Sequence, residues 1–255
     1  MTIVFSQISQ IPVRSTPSEK SEMTTQILYG ESYEILDKHD GWQLIRCLWD
    51  DYTGWIASTQ IAAIVSVETE DNADKKLFNK AAVAFVSNQL THRLPISFGS
   101  ELRKHDKICD NIYETTPIAA DESGFNDKTS ALLYYAGLFS YAPYLWGGRS
   151  AFGTDCSGLV QILFKALDIR LPRDAHQQAE LGQTIDFIEE SVAGDLVFFD
   201  NADGKITHVG LLRDSKSVIH ASGHVRIDPI DHHGIFNPQT GKYSHKLRII
   251  KRLNL

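Results

Sequence analysis

"GTDCSGLVQILFKAL", residues 153–167, changes character at its fourth residue. A polar turn gives way to Leu159, Val160, Leu163, Phe164 and Leu167, an apolar stripe at helical spacing. The pattern predicts a helix that starts at Cys156 with Asp155 as its N-cap. A thiol in the first helical turn faces unpaired N–H groups and the positive end of the helix dipole, which predicts a lowered thiol pKa and a reactive side chain. That is what a nucleophile requires. A lone cysteine at the head of an apolar run is equally the ordinary small buried side chain, and Cys47 and Cys109 carry only that second reading.

Outward from this stretch, "SALLYYAGLFSYA" (130–142) has the spacing of a buried helix ended by Pro143, and "PYLWGGRSAFGTD" (143–155) reads as a turn. "IRLPRDAHQQAEL" (169–181) offers a stop and then a short helix. The period then shortens to that of strands in "DLVFFD", "ITHVGLLR", "SVIHAS", "VRIDPI" and "KLRIIKRL". Helices followed by antiparallel strands predict an α+β domain over residues 126–255. Residues 1–65, with "QILYGESYEILDKHD", "GWQLIRCLWDD" and "YTGWIAST" punctuated by Gly and Asp, predict a small all-β barrel. Residues 66–125 are assigned to a second small β-unit and linker.

Composition narrows the function classes. A chain of 255 residues with 42% hydrophobic residues can bury more than one core. The net charge of -7 argues against a nucleic-acid partner, which needs an excess of Lys and Arg. No apolar run approaches the ~20 residues that span a bilayer, and the amino terminus lacks a basic start followed by an apolar core. No membrane partner is expected, and the expected location is cytoplasmic, or periplasmic or secreted if a signal was trimmed. Three cysteines without paired spacing suggest neither a disulfide framework nor a zinc site.

A nucleophilic thiol needs a base. His208 in "ITHVGLL" and His220 in "SVIHAS" lie in consecutive strand-like runs, and a hairpin centred near Asp214 brings them together across the ladder. The second imidazole would then orient the first, as in a Cys-His-His relay. The adjacent pair His232 and His233 would point to opposite faces of a strand, which is poor metal geometry, so a solvated loop is expected there.

The motifs "YLWGG", "TDCSGLVQ", "LPRDAHQQ", "GDLVFF" and "THVGLL" followed by "VIHAS" occur in order over residues 128–255. This series resembles the NlpC-type cell-wall endopeptidases, a papain-like cysteine peptidase family. "STPSEKSEMTTQILYGESYEIL" and "DDYTGWI" resemble the bacterial Src-homology-three-like barrel that precedes the domain in members acting on murein peptides. The resemblance implies Cys156 as nucleophile, His208 as general base and then acid, and His220 as its orienting partner, with no cofactor and no metal.

It also implies a substrate, a murein stem peptide cut between γ-D-glutamate and an L-diamino acid such as meso-diaminopimelate or L-Lys. The backbone N–H of Cys156 would help form an oxyanion hole. Tyr144 and Trp146 would line the nucleophile, or would only pack. Asp155, with Glu22 and Tyr52 on the barrel, would hold the ammonium of a free N-terminal L-Ala, and Ser157, Arg173 and Asp174 match pocket positions. Arg173 would bind a substrate carboxylate or pair with Asp174. The expected setting is recycling of murein peptides by a monomer. The same site chemistry also serves acyl or amide transfer, and a third reading is a non-catalytic wall-peptide-binding module.

Overall fold

Strict alternation marks the first strands: in "QIPVR" and "WQLIRC" every second residue is buried, which puts one face of each strand in a core and the other near water. The computed structural model describes residues 2–61, 77–88, 93–102, 107–108, 111–115 and 124–255. Cys109 and the charged stretch "VETEDNADKK" lie outside the described residues. The chain divides into two compact units, one of residues 1–121 and 146–151, the other of 122–145 and 152–255. Among the described residues no helix is long and apolar enough to cross a membrane.

In the N-terminal unit β1 (Thr2–Phe5), β2 (Gln10–Arg14), β3 (Met23–Leu28), β4 (Ser32–His39), β5 (Trp42–Cys47) and β6 (Thr53–Ala57) form one sheet in the order β1-β4-β5-β6-β2-β3. Val4, Ile11, Val13, Ile27, Ile45 and Ile56 fill its interior, with Cys47 as a small buried side chain among them. Further on come β7 (Leu77–Phe78), β8 (Val83–Asn88), β9 (Arg93–Ser97), β10 (Glu101–Leu102), β11 (Lys107–Ile108) and β12 (Asn111–Thr115). β11-β12-β8-β9 make a second sheet, and β7 pairs with β10. Phe5 and Tyr29 from the first sheet region share a core with Ala84, Val86 and Ile96 from the second. Hydrophobic burial common to both sheets therefore runs across residue 65.

The segment 146–151, which includes β13 (Arg149–Ser150), belongs to this unit, and a buried arginine helps fasten it there. Arg149, 1% exposed, donates to both carboxylate oxygens of Glu31, at 3.0 and 3.3 Å, and to the Gln26 carbonyl at 3.2 Å. Gly147 has φ +75°, and a Cβ there would lie 2.2 Å from the Met23 carbonyl oxygen, so only glycine fits.

The C-terminal unit begins with α1 (Lys128–Gly137), whose N-cap Asp127 accepts from the Ser130 N–H at 2.7 Å. The sequence predicts that this helix runs to Pro143, but it stops at Gly137. The reason is tertiary: Ala142 and Tyr144 are drawn into extended backbone, exchanging hydrogen bonds with Val225 and Gly223 while Pro143 bridges to His224. After β14 (Gly153–Thr154) comes α2 (Cys156–Lys165), and after it α3 (Ala175–Gln178). The predicted single stripe of α2 is corrected as well. All ten of its residues are buried, and Leu167 lies beyond its end.

The strands β15 (Gln183–Ile185), β16 (Leu196–Asp200), β17 (Ile206–Asp214), β18 (Ser217–Ser222), β19 (His224–Asp231), β20 (Gly234–Asn237) and β21 (Lys242–Arg252) form an antiparallel sheet in the order β15-β21-β16-β17-β18-β19-β20. β20 also pairs with β21, which closes β16–β21 into a six-stranded barrel. α2 packs against β17 and β18. The helix that carries Cys156 and the strands that carry His208 and His220 are therefore direct neighbours.

Arg149→Met leaves Glu31 as a buried carboxylate without its cation, and is expected to destabilise the N-terminal unit by about 3–5 kcal/mol. Adding Glu31→Leu is expected to restore most of that loss. All four tryptophans (Trp42, Trp49, Trp55 and Trp146) lie in this unit, so tryptophan fluorescence during denaturant titration reads it selectively.

Candidate active site

The site is built around the start of α2. Asp155 caps the helix by accepting from the Gly158 N–H at 2.7 Å, as its extended backbone and short side chain allow. The same carboxylate receives Arg173 through both guanidinium ends, with Nη1 to Oδ1 at 3.0 Å, and Nη1 also donates to Ser157 Oγ at 2.9 Å. Arg173 is 2% exposed. Burial alone would weaken its charge, yet the adjacent Asp155 carboxylate holds the guanidinium above its ordinary pKa. Its side-chain hydrogen bonds reach Asp155 and Ser157, and the Asp174 carboxylate adds to the charges that favour the guanidinium. Asp174 serves as the N-cap of α3, in a capping box with Gln177.

Cys156 is the first residue of the helix and is buried, with Sγ 4.0 Å from the Thr207 carbonyl oxygen. The predicted lowering of its pKa is overturned. Burial, and then the Asp155 charge, push the thiol up to about 11, against the backbone N–H groups of Val209 and Ser157 that favour the thiolate. Desolvation outweighs the helix start because the whole first turn is enclosed. Tyr144, half-buried, feels the thiol's charge as well as its own burial, and its hydroxyl is raised to about 12.

Across from the helix the barrel supplies a chain of hydrogen-bonded side chains. His208 Nε2 lies 2.9 Å from His220 Nδ1, and His220 Nε2 lies 3.0 Å from Asp228 Oδ2. Arg226 contacts Asp228 with Nη2 on Oδ1 and Nε near Oδ2, both at 2.8 Å. Burial works against the Asp228 charge, but the bonds from His220 and Arg226 hold its carboxyl below the usual range, so it only accepts. His220 therefore carries its proton on Nε2 and offers Nδ1 as an acceptor. His208 must then donate from Nε2, which leaves Nδ1 of the neutral ring as its basic nitrogen.

A third imidazole completes the cluster. His245 stacks on His208 with centroids 4.1 Å apart and planes at 23°, and its Nδ1 lies 2.8 Å from Ser244 Oγ. Burial holds His245 down at about 4. His208 lies well below its ordinary pKa through burial, then through His245 and His220. Ligand nitrogens of the three rings fall within 4.8 Å of one another, but the lone pairs of stacked rings run side by side, whereas a metal needs them convergent.

Sequence reasoning overlooked Asp228, Arg226 and His245. The first two left a trace: pairing "VIHAS" with "VRID" around Gly223 sets Arg226 opposite His220 and Asp228 on the diagonal of the same face. His245 left none, since β21 joins the barrel from far along the chain. Of the remaining expected residues, Trp146 donates its indole N–H to Glu22 at 2.7 Å, and Tyr52 packs against the sheet core. All three belong to the N-terminal unit, whereas Tyr144, Asp155, Ser157, Arg173 and Asp174 belong to the C-terminal one. His232 and His233 lie exposed at the turn between β19 and β20.

Residues 141–243 match the NlpC/P60 family, and residues 13–61 match the bacterial dipeptidyl-peptidase Sh3 domain. The chain is 29% identical over 218 residues to a gamma-D-glutamyl-L-lysine dipeptidyl-peptidase of Bacillus subtilis, covering 77% of this chain and 71% of that protein. It is 24% identical to a protein of the same name from Bacillus cereus, over 87% of this chain and 74% of the relative. An NlpC/P60 family protein from Bacillus cereus superposes with a TM-score of 0.78 at 18% identity, over 98% of this chain and 99% of that one. That likeness establishes a shared fold.

With the thiol raised to about 11 and the His208 imidazole held well below its ordinary pKa, both groups rest uncharged at neutral pH. The rate of Cys156 alkylation by iodoacetamide is therefore expected to climb about tenfold per pH unit through the neutral range, because only the thiolate reacts. A flat rate from pH 5 to 8 would reveal a preformed thiolate–imidazolium pair and contradict this.

Proposed function

We propose, from the premise that the chain carries an NlpC/P60 domain behind a bacterial Sh3 domain, that it is a cysteine endopeptidase of cell-wall peptides. It cuts the bond between γ-D-glutamate and the following L-diamino acid. The observation that carries this reading is the ordered run Asp228–His220–His208, which ends on a basic nitrogen in the strand packed against the helix of Cys156. The names of the Bacillus relatives, which specify a γ-D-glutamyl-L-lysine bond, support the substrate class.

The chemistry follows from the protonation states. His208 Nδ1 takes the thiol proton as Sγ bonds to the γ-carbonyl carbon, so the uncharged pair becomes thiolate and imidazolium only as the bond forms. Backbone N–H groups at the start of α2, that of Cys156 included, stabilise the oxyanion. Collapse breaks the C–N bond, and the imidazolium gives its proton to the α-amine of the departing diamino residue. Water then hydrolyses the thioester with His208 again as base. Throughout, His220 and Asp228 hold the ring and its tautomer. Recycling of murein peptides in the cytoplasm, with an unblocked L-Ala at the substrate's amino terminus, belongs to the same proposal.

Cys156→Ala is expected to abolish release of L-Ala-D-Glu from L-Ala-γ-D-Glu-L-Lys, followed by mass spectrometry; retained cleavage would refute the reading. Asp228→Asn is expected to lower kcat by roughly a hundredfold or more with little change in KM, because the amide no longer dictates the tautomer. The sign of the pH dependence follows from His208, which is active as the neutral base. Since its pKa is depressed, activity persists below pH 6.5 and fails only at more acid pH. His245→Ala opens the ring to water, raises that pKa, and is expected to move the acid limb of kcat/KM upward. Equal rates on free and acetylated L-Ala substrates would remove the amine requirement and leave the peptidase intact.

A further inference from the structure

Beside the catalytic cluster the C-terminal unit holds a cavity of about 770 Å³ that the chemistry described so far leaves unused. Thr207 and His245 form part of its wall. Thr207 precedes the catalytic base, and its carbonyl lies 4.0 Å from Cys156 Sγ, while His245 covers one face of His208. The cavity thus opens on the imidazole side of the thiol. General-acid catalysis makes that side special: His208 must hand its proton to the departing amine, so the departing residue has to lie next to the imidazole.

The lining also carries charge. Asp200 and Lys246 line the cavity and are direct cross-strand partners on β16 and β21. The Asp200 side chain is only 6% exposed, and its nearest cation, Arg248, lies 3.8 Å away on an outer, mostly exposed guanidinium. Its Oδ1 has no hydrogen-bond partner among the described residues. A buried carboxylate oxygen left without a donor is costly, and a cation arriving in the cavity would relieve that cost. A diamino residue leaving from γ-D-glutamate brings such a cation on its side chain, and brings a carboxylate that suits Lys246.

We propose that this cavity receives the departing diamino residue, with Asp200 binding its side-chain ammonium and Lys246 its carboxylate. The inference rests on the peptidase reading above and adds to it a determinant of which residue may follow γ-D-glutamate. It makes the side-chain charge of that residue a requirement distinct from recognition of the L-Ala end.

The experiment compares L-Ala-γ-D-Glu-L-Lys with its L-norleucine counterpart, equal in chain length but without the ammonium, on the wild-type enzyme, Asp200→Asn and Asp200→Glu. The wild type is expected to prefer the Lys peptide in kcat/KM by about tenfold to a hundredfold, the range of one charge-assisted hydrogen bond. Asp200→Asn is expected to lose that preference through KM for the Lys peptide while cleaving the norleucine peptide as before, and Asp200→Glu to recover part of it. Equal wild-type rates on both peptides would overturn the pocket assignment and leave the peptidase standing, as would an Asp200→Asn variant that keeps the preference. Should that variant fail to fold, a wild-type substrate with the Lys side chain acetylated decides the matter, since undiminished cleavage overturns the assignment. No cleavage of either peptide by the wild type would instead overturn the peptidase reading and the pocket with it.

Discussion

The site depends on one buried carboxylate. Asp155 caps the first turn of α2, accepts Arg173 from the loop before α3, and fixes Ser157 through the same network. Each contact would be weak at a surface, but here all the partners are buried. A buried charge without its counter-charge is strongly destabilising, so an arrangement that separates Asp155 from Arg173 is disfavoured. The position of Cys156 is thus set by electrostatics that act on its neighbours.

The cost of that enclosure is visible in the thiol itself. A helix start in water favours a thiolate, but here water is excluded and burial raises the pKa to about 11. The same exclusion keeps His208 neutral. The two effects match: both groups rest uncharged, as the proposed mechanism requires. The relay beneath His208 is what makes an uncharged pair useful, because Asp228, as a pure acceptor, decides which nitrogen of each imidazole bears the proton.

Closing the barrel is what assembles that relay. His208, His220, Asp228 with Arg226, and His245 come from β17, β18, β19 and β21 respectively. The first three strands are neighbours joined by short turns, so their pairing was within reach of the sequence once "VIHAS" and "VRID" were set around Gly223. The fourth is not. β21 reaches His208 only because it pairs with both β16 and β20, and the cavity wall of Asp200 and Lys246 arises from the same pairing.

The sequence by itself determined the thiol at a helix start, the cap that holds it, the two strand histidines, and the order of helices before sheet. These depend on local periodicity, capping chemistry and motif order, which act over a few residues and survive in a one-dimensional reading. Only the tertiary structure decided the end of α1 at Gly137, the commitment of Arg173 to Asp155, the raised thiol, and the place of His245. Each of these follows from burial or from strand pairing between distant segments. Desolvation depends on everything that encloses a group, and no stretch of sequence contains that by itself.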